Sequence, residues 1–108
     1  MDLAEPVATY YRALDEGAYE SLRTALSPAF VQHRPDRTFE GRESFVRFMR
    51  EERPRTDTTH TVEAVYRNGT ETAVRGQVVT DAGDVLVRFV DVFEIAEGEI
   101  TALSTYTR

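Results

Sequence analysis

Residues 85–95 read Val85-Leu86-Val87-Arg88-Phe89-Val90-Asp91-Val92-Phe93-Glu94-Ile95, and a turn at Glu97-Gly98 follows. This run of β-branched and aromatic residues predicts one long strand. Because side chains alternate across a strand, one face carries Val87, Phe89, Asp91, Phe93 and Ile95. Asp91 is the single polar residue on that face. A carboxylate in such surroundings is paired with a cation, held neutral, or lining a cavity.

The rest of the chain predicts helices first and strands afterwards. Apolar residues at helical spacing predict helices over residues 3–16, 18–26 and 41–52. Extended segments are predicted over residues 30–33, 59–67, 71–80 and 99–106, with a loop over residues 35–40 and a hairpin turn at Asn68-Gly69. Helices that precede an antiparallel sheet define an α+β domain, here a single domain of residues 1–108.

The predicted sheet must curve, because a flat sheet could not cover the apolar stripes of three helices. We expect a curved antiparallel or mixed sheet that wraps around three N-terminal helices and forms a cone. The interior of such a cone is a natural pocket for a small molecule.

The composition excludes several classes of partner. Nineteen acidic and thirteen basic residues give a net charge of -6, which argues against binding to nucleic acid. All thirteen basic residues are arginine, which resembles the proteins of salt-accumulating halophiles, although a high-GC genome produces the same bias. No apolar run of 18 residues or signal peptide is present, so we expect a cytoplasmic protein without a membrane span.

Neither a metal nor a cofactor is predicted. The chain has no cysteine, so it has no disulfide and no thiolate ligand. Its two histidines, His33 and His60, are too far apart in sequence to form a recognisable metal motif. His60 precedes a strand and is expected to be exposed.

Four short segments, in their order and spacing, resemble one superfamily. They are residues 10–17 (YYRALDEG), 26–33 (LSPAFVQH), 40–43 (EGRE) and 91–100 (DVFEIAEGEI). The pattern resembles the nuclear transport factor two-like superfamily, especially its SnoaL-like polyketide-cyclase and ketosteroid-isomerase branches. The resemblance covers nearly the whole chain and implies a cystatin-like roll with an enclosed pocket.

The resemblance also implies roles for individual residues. In the isomerase branch, a tyrosine at the position of Tyr10 and a neutral aspartic acid at the position of Asp91 donate hydrogen bonds to an oxyanion. An apolar site keeps that carboxylic acid neutral by raising its pKa. Arg34 stands where that branch has its carboxylate base, and an arginine cannot abstract a proton at neutral pH. Steroid isomerase activity is therefore not expected.

Other candidate residues have more than one interpretation. Asp91 is either a neutral donor or an ionised partner of Arg34 or Arg75, and an Arg–Asp pair would resemble the epoxide-hydrolase branch. Tyr10 and Tyr11 point about 100° apart on a helix, so only one faces the pocket fully. His33 is the candidate base at the mouth of the cone, or else a histidine that caps a loop carbonyl.

The predicted pocket lining overlaps with the predicted core. Arg75 and Gln77 are expected on the same side of one strand, which is either the cavity or a dimer face. The full set of candidate lining residues is Phe30, Arg34, Phe45, Phe48, Met49, Arg75, Gln77, Phe89 and Phe93.

Two functions fit these features. The first is an isomerase or cyclase that acts on a small apolar carbonyl compound, with Tyr10 and Asp91 as oxyanion donors and His33 moving the proton. The second is a non-catalytic ligand-binding or dimerisation module, in which the face of Leu86, Arg88, Val90 and Val92 forms a homodimer.

Overall fold

The computed structural model describes residues 3–108, which form three helices and one six-stranded sheet. Met1 and Asp2, which the predicted domain includes, lie outside the described residues. The helices are α1 (Glu5–Glu16), α2 (Tyr19–Ala25) and α3 (Arg42–Glu51). The strands are β1 (Leu26–His33), β2 (Thr38–Glu40), β3 (Thr58–Asn68), β4 (Glu71–Thr80), β5 (Val85–Ala96) and β6 (Glu99–Thr107). The prediction of an α+β fold is confirmed.

The sheet is mixed and has the strand order β2-β1-β6-β5-β4-β3. Strands β3 to β6 form the predicted antiparallel meander. The β3–β4 turn lies at Gly69 and Thr70, one residue later than predicted, because Asn68 still pairs with Glu71. Strand β1 pairs in parallel with β6, so the helical half of the chain is joined to the edge of the meander. Bulges interrupt the ladders between Val62 and Ala64, Val78 and Val79, and Glu94 and Ile95. Bulges bend and twist strands, and the sheet is curved as predicted.

The predicted loop over residues 35–40 is wrong in its second half, because Thr38–Glu40 is a strand. The turn that begins with the hydrogen bond from the Arg34 amide to the Arg37 carbonyl, at 2.8 Å, reverses the chain onto β1. Phe39 is buried there, whereas both of its neighbours are exposed. Burial of this one ring against α3 therefore fixes the strand.

The core lies between the helices and the inner face of the sheet. The predicted alternation along β5 is confirmed, because Phe89, Asp91 and Phe93 are buried whereas Val90 is exposed. The ring of Tyr10 on α1 packs edge-on against Phe93, with 5.4 Å between ring centroids. No helix among residues 3–108 has the length and apolar character needed to cross a membrane.

Candidate functional site

A cavity of about 500 Å³ opens between the inner face of the sheet and the helices α1 and α3. Its apolar walls are formed by Leu14, Phe48, Met49, Val78, Val87 and Phe89. Its polar lining includes Tyr10, Gln32, His60, Asp91 and Thr105, with several arginines on one side. An apolar cavity with a few polar groups is the usual form of a small-molecule site.

Asp91 lies at the buried end of a hydrogen-bond chain. The hydroxyl of Tyr11 donates to Asp91 Oδ2 at 2.7 Å, and the hydroxyl of Thr105 donates to Oδ1 at 2.6 Å. Gln32 Nε2 in turn donates to Thr105 Oγ1 at 2.9 Å. Thr105 is placed for this role because it lies opposite Asp91 in the β5–β6 ladder. The carboxyl is therefore held in one position while it still lines the cavity.

The environment of Asp91 favours its neutral form. Burial raises the pKa of its carboxyl, because the charged form loses its hydration. The hydrogen bonds from Thr105 and Tyr11, and the charges of His60 and Arg34, act in the opposite direction but do not cancel the effect of burial. Only 4% of Asp91 is exposed. A neutral carboxyl can donate a hydrogen bond, which an ionised one cannot.

Neither arginine that was considered as a partner of Asp91 forms an ion pair with it. Arg34 Nε lies 3.4 Å from Asp36 Oδ1 instead. Arg75 lies opposite Val90 in the β4–β5 ladder and is therefore on the outer face of the sheet. There its Nε lies 3.9 Å from Glu63 Oε1.

The two adjacent tyrosines, Tyr10 and Tyr11, have different roles. Tyr11 binds the Asp91 carboxyl, whereas Tyr10 lines the cavity and forms no hydrogen bond within residues 3–108. Burial raises the pKa of both hydroxyls, and the nearby carboxylate of Asp91 adds to this effect. Both groups are therefore hydrogen-bond donors at neutral pH. The Tyr10 hydroxyl is available to a ligand.

His60 is a cavity residue, so the prediction that it is exposed is wrong. Its Nδ1 lies 2.6 Å from Asp15 Oδ1, and its backbone amide also donates to that carboxylate, at 3.1 Å and 3.2 Å to the two oxygens. A carboxylate beside Nδ1 selects the tautomer that carries its proton there. Nε2 is then the basic nitrogen. The pairing resembles in form the carboxylate-oriented histidines that transfer protons in enzymes.

A bulge in β3 turns His60 inward. Ladder pairs near the hairpin, such as Ala64 with Arg75, would continue to place His60 opposite Val79. The extra residue Glu63 shifts the register, so that His60 lies opposite Val78, which lines the cavity. A one-residue shift exchanges the two faces of a strand. A signal that was overlooked in the sequence is the spacing of Tyr11 and Asp15, which places both on one face of α1.

His33 does not reach the cavity. In the parallel ladder Gln32 lies beside Leu103, which is fully buried on the inner face, and His33 lies beside Ser104. Alternation therefore sends Gln32 inward and His33 outward. The imidazole of His33 is exposed, and its Nδ1 lies 3.4 Å from Thr38 Oγ1. The prediction that His33 lies at the mouth of the cone is therefore wrong.

The predicted pocket residues separate into three groups. Four line the cavity: Arg34, Phe48, Met49 and Phe89. Three are fully buried core residues that do not line it, because the rings of the helices and the sheet fill that end of the cone: Phe30, Phe45 and Phe93. Two lie on the outer face, on the same side as each other, as predicted: Arg75 and Gln77.

No group of three or more histidine, cysteine, aspartate or glutamate side chains within residues 3–108 is placed to hold a metal ion. The donors at the site are hydroxyl, carboxyl, amide and imidazole groups. Groups of these kinds can form hydrogen bonds with polar atoms of a ligand. The imidazole of His60 can accept or return a proton nearby.

This chain has a curved sheet packed on three helices around a partly polar cavity, which is the architecture of a small, cone-shaped pocket domain. The sequence profile of the SnoaL-like domain family matches residues 7–103. The chain therefore belongs to the SnoaL-like family, within the nuclear transport factor two-like superfamily. No functionally curated protein matches the chain.

Solved structures share the fold at low sequence identity. A protein from Sinorhizobium meliloti assigned as a polyketide cyclase is 20% identical, with a TM-score of 0.85 over 98% of this chain and 97% of its own. An LEH-like epoxide hydrolase from M. tuberculosis is 16% identical, with a TM-score of 0.81 over 97% of this chain and 81% of its own. A cystatin-like protein of unknown function from Methylobium petroleophilum is 17% identical, with a TM-score of 0.81 over 95% of this chain and 73% of its own. These similarities establish the fold.

Proposed function

We propose that this protein is an isomerase or cyclase that acts on a small, largely apolar carbonyl compound. Asp91 and Tyr10 would donate hydrogen bonds to the carbonyl oxygen, and His60, oriented by Asp15, would move a proton. The observation that carries the proposal is a buried carboxyl, with its pKa raised, that lines an apolar cavity. The names of two similar structures, a polyketide cyclase and an epoxide hydrolase, agree with small-molecule chemistry in this fold.

The chemical step is a proton transfer next to the carbonyl. His60 Nε2 would remove a proton from the carbon adjacent to the carbonyl, and negative charge would develop on the oxygen. Donors placed at that oxygen stabilise the enolate-like state, and the loss of one such donor costs about a hundredfold or more in rate. If a carbon–carbon double bond lies next to the enolate, return of the proton from His60 to the far end of the dienolate completes an isomerisation. If the enolate carbon attacks a second carbonyl of the same molecule, a carbon–carbon bond forms, and the proton held by His60 passes to the resulting alkoxide to complete a cyclisation.

We take His60 rather than His33 as the candidate base. His33 lies on the outer face, whereas His60 lines the cavity and contacts the ring of Tyr11, with 5.2 Å between centroids. The two histidines therefore make a matched pair for a test. His33→Ala removes the same imidazole at an exposed position and serves as the control for His60→Ala.

The proposal is tested by proton exchange in a ketone that fits the cavity. The incorporation of deuterium next to the carbonyl of 2-tetralone in deuterium oxide is followed by NMR, with enzyme and with buffer alone. We expect exchange above the buffer rate, reduced about a hundredfold or more by His60→Ala and by Asp91→Ala. His33→Ala should retain the full rate. Equal rates for the two histidine variants would refute the role of His60.

The alternative is a binding module without catalysis. Arg34 lines the cavity at the position that the resemblance gives to a carboxylate base, and this observation favours the alternative. Such a protein would bind 2-tetralone or a similar apolar molecule but cause no exchange above buffer. Binding with Asp91-dependent affinity and no exchange would therefore select the binding module.

We also propose that the outer face of the sheet forms a homodimer. Three apolar side chains on this face are markedly exposed: Tyr66 at 56%, Val90 at 37% and Tyr106 at 60%. Tyr106 lies directly opposite Val90 in the β5–β6 ladder, so the two form one patch. Contiguous exposed apolar residues on a curved sheet are typical of a symmetric interface.

A further inference from the structure

The cavity is lined on one side by arginines, although the chain as a whole is acidic. The net charge of the chain is -6, yet four guanidinium groups reach this lining: Arg34, Arg37, Arg53 and Arg55. Three of them, including Arg34, lie within ion-pair distance of exposed acidic neighbours. Arg55 Nη2 lies 2.6 Å from Asp57 Oδ2, and Arg37 Nε lies 3.9 Å from Asp36 Oδ2.

Arg53 is different, because its hydrogen bonds are to neutral acceptors. Its Nη2 donates to the Leu14 carbonyl at 3.2 Å and to the Tyr19 hydroxyl at 3.5 Å. No carboxylate within residues 3–108 forms an ion pair with it. Its Nε is buried and has no hydrogen-bond partner. The guanidinium of Arg53 thus lines the cavity without an anionic partner among residues 3–108, and an anionic ligand would supply that partner.

Arg34 adds a second cation to the same lining, and it shares its acidic neighbour Asp36 with Arg37. Its Nε has an ion-pair distance of 3.4 Å to Asp36 Oδ1 but forms no hydrogen bond. The charges of both Arg34 and Arg53 lower the pKa of the Tyr10 hydroxyl, while burial raises it more strongly. Arg34, Arg53 and Tyr10 all line the same cavity, so one ligand that occupies it can meet all three.

We infer that the ligand of this cavity is an apolar acid whose carboxylate binds Arg53, with Arg34 beside it. The inference rests on the proposed function for the other end of the ligand, where an oxygen meets Asp91 and Tyr10. A carboxylate offers two acceptor oxygens that match the fork of a guanidinium. The apolar walls, including Met49 and Phe89, would hold the body of the ligand between the two polar ends.

The test uses two fluorescent probes of nearly equal size. 6-Hydroxy-2-naphthoic acid has a hydroxyl for the Asp91 end and a carboxylate for the Arg53 end, whereas its methyl ester lacks the charge. We expect the purified full chain to bind the acid about tenfold or more tightly than the ester, which is the strength of a hydrogen bond to a charged group. An ester that binds as tightly as the acid would overturn the inference without any variant.

Variants then assign the preference to Arg53. Arg53→Gln should reduce the preference for the acid about tenfold and leave the affinity for the ester nearly unchanged. Arg47→Gln removes the same charge from an exposed position of α3 and should change neither affinity. Arg53→Lys keeps the charge but not the fork, and should retain part of the preference. A loss of affinity for both probes in Arg53→Gln would indicate a structural role and contradict the inference.

The design separates failure of this inference from failure of the proposed function. If Asp91→Ala weakens binding of the ester but the native protein shows no preference for the acid, the proposed oxygen site is supported and the proposed acid site is refuted. If the preference for the acid depends on Arg53 but Asp91→Ala leaves the affinities for the acid and the ester unchanged, the acid site is supported and the proposed oxygen site is refuted.

Discussion

The hydroxyl of Tyr11 on α1 donates a hydrogen bond of 2.7 Å to Asp91 Oδ2 on β5, across 80 residues of sequence. This bond connects the first helix to the strand that carries the candidate site. It also distinguishes Tyr11 from Tyr10, which lies next to it on the helix and whose hydroxyl forms no hydrogen bond within residues 3–108. The two tyrosines should therefore respond differently to the same substitution.

Tyr11→Phe should destabilise the protein by about 1 kcal/mol, because it removes a buried hydrogen bond and leaves Asp91 Oδ2 without a donor. Tyr10→Phe removes no hydrogen bond within the protein, and its cost should remain below about 0.5 kcal/mol. Urea unfolding monitored by circular dichroism measures both. Equal costs in stability for the two variants would contradict these different roles. Tyr10→Phe should nevertheless weaken binding of the hydroxynaphthoate probes.

Asp91→Asn should change the way in which stability depends on pH. The carboxyl in the unfolded chain titrates near 3.8, and burial raises the pKa in the folded state. Folding therefore takes up a proton between these two pKa values, so the stability that Asp91 contributes is full below pH 3.8 and falls as the pH rises through the folded pKa. Asparagine does not titrate, so the variant should gain stability relative to the native chain over that interval.

The measurement is urea unfolding of both proteins at successive pH values, and taking the difference between them removes the effects of all other carboxylates. A stability difference that is independent of pH, or that changes in the opposite direction, would show that the hydrogen bonds from Tyr11 and Thr105 hold Asp91 ionised. Asp91 would then be an acceptor, and its proposed role as an oxyanion donor would be untenable.

Asp15→Asn should reduce the deuterium exchange of 2-tetralone by about a hundredfold, because the carboxylate fixes the tautomer and orientation of His60. Asp15 is a positioning residue, so a second readout is needed. Nitrogen-15 NMR of the imidazole should show a proton on Nδ1 in the native chain and a mixture of tautomers in the variant. An unchanged tautomer together with reduced exchange would contradict this role.

Gly76→Ala should destabilise the sheet by about 2 kcal/mol, as expected of overpacking. A Cβ at this position would lie 2.3 Å from the Thr61 carbonyl oxygen and 2.9 Å from the ring of Phe89. The backbone of β3 would have to move, and His60 would move with it. Gly83→Ala is the comparison, since its Cβ would meet open space and its cost arises only from its positive φ.

The two glycine variants should also differ in activity. Gly76→Ala should lower the exchange rate, and Gly83→Ala should not, because residue 83 lies in the β4–β5 turn away from the cavity lining. Thermal unfolding and the exchange assay measure the two effects separately. If Gly76→Ala were as stable as the native chain, the tight approach between β3 and β4 would not hold.

Val90→Asp should convert the proposed dimer into a monomer. The substitution places a charge in the exposed apolar patch of Val90 and Tyr106, which a symmetric interface would bury against the same patch of the partner. Light scattering should give twice the mass of one chain for the native protein and one chain for the variant. Leu86, which the alternation predicts on this face, lines the cavity instead, because a bulge interrupts the β4–β5 ladder there, so it is not part of the patch. A native mass of one chain would refute the dimer.

The sequence predicted the fold because local patterns and global architecture agree in this chain. The alternation along residues 85–95 fixes which face of β5 is buried, whatever its neighbours are, so Asp91 is correctly placed among Phe89 and Phe93. Helical spacing in α1 and α3 is likewise a local property. The order of the elements and the pocket also follow from these patterns, and the resemblance added Tyr10 and Arg34, both of which line the cavity.

The sequence by itself thus determined the elements, the curved sheet and the carboxyl at the centre of the site. The tertiary structure decided which histidine joins that carboxyl. The bulge at Glu63 turns His60 inward, and the parallel register of β1 on β6 turns His33 outward. Register and bulges depend on contacts between strands that are distant in sequence, and a shift of one residue reverses every side chain beyond it. For that reason the pairing of Asp15 with His60 becomes visible only when the chain is folded.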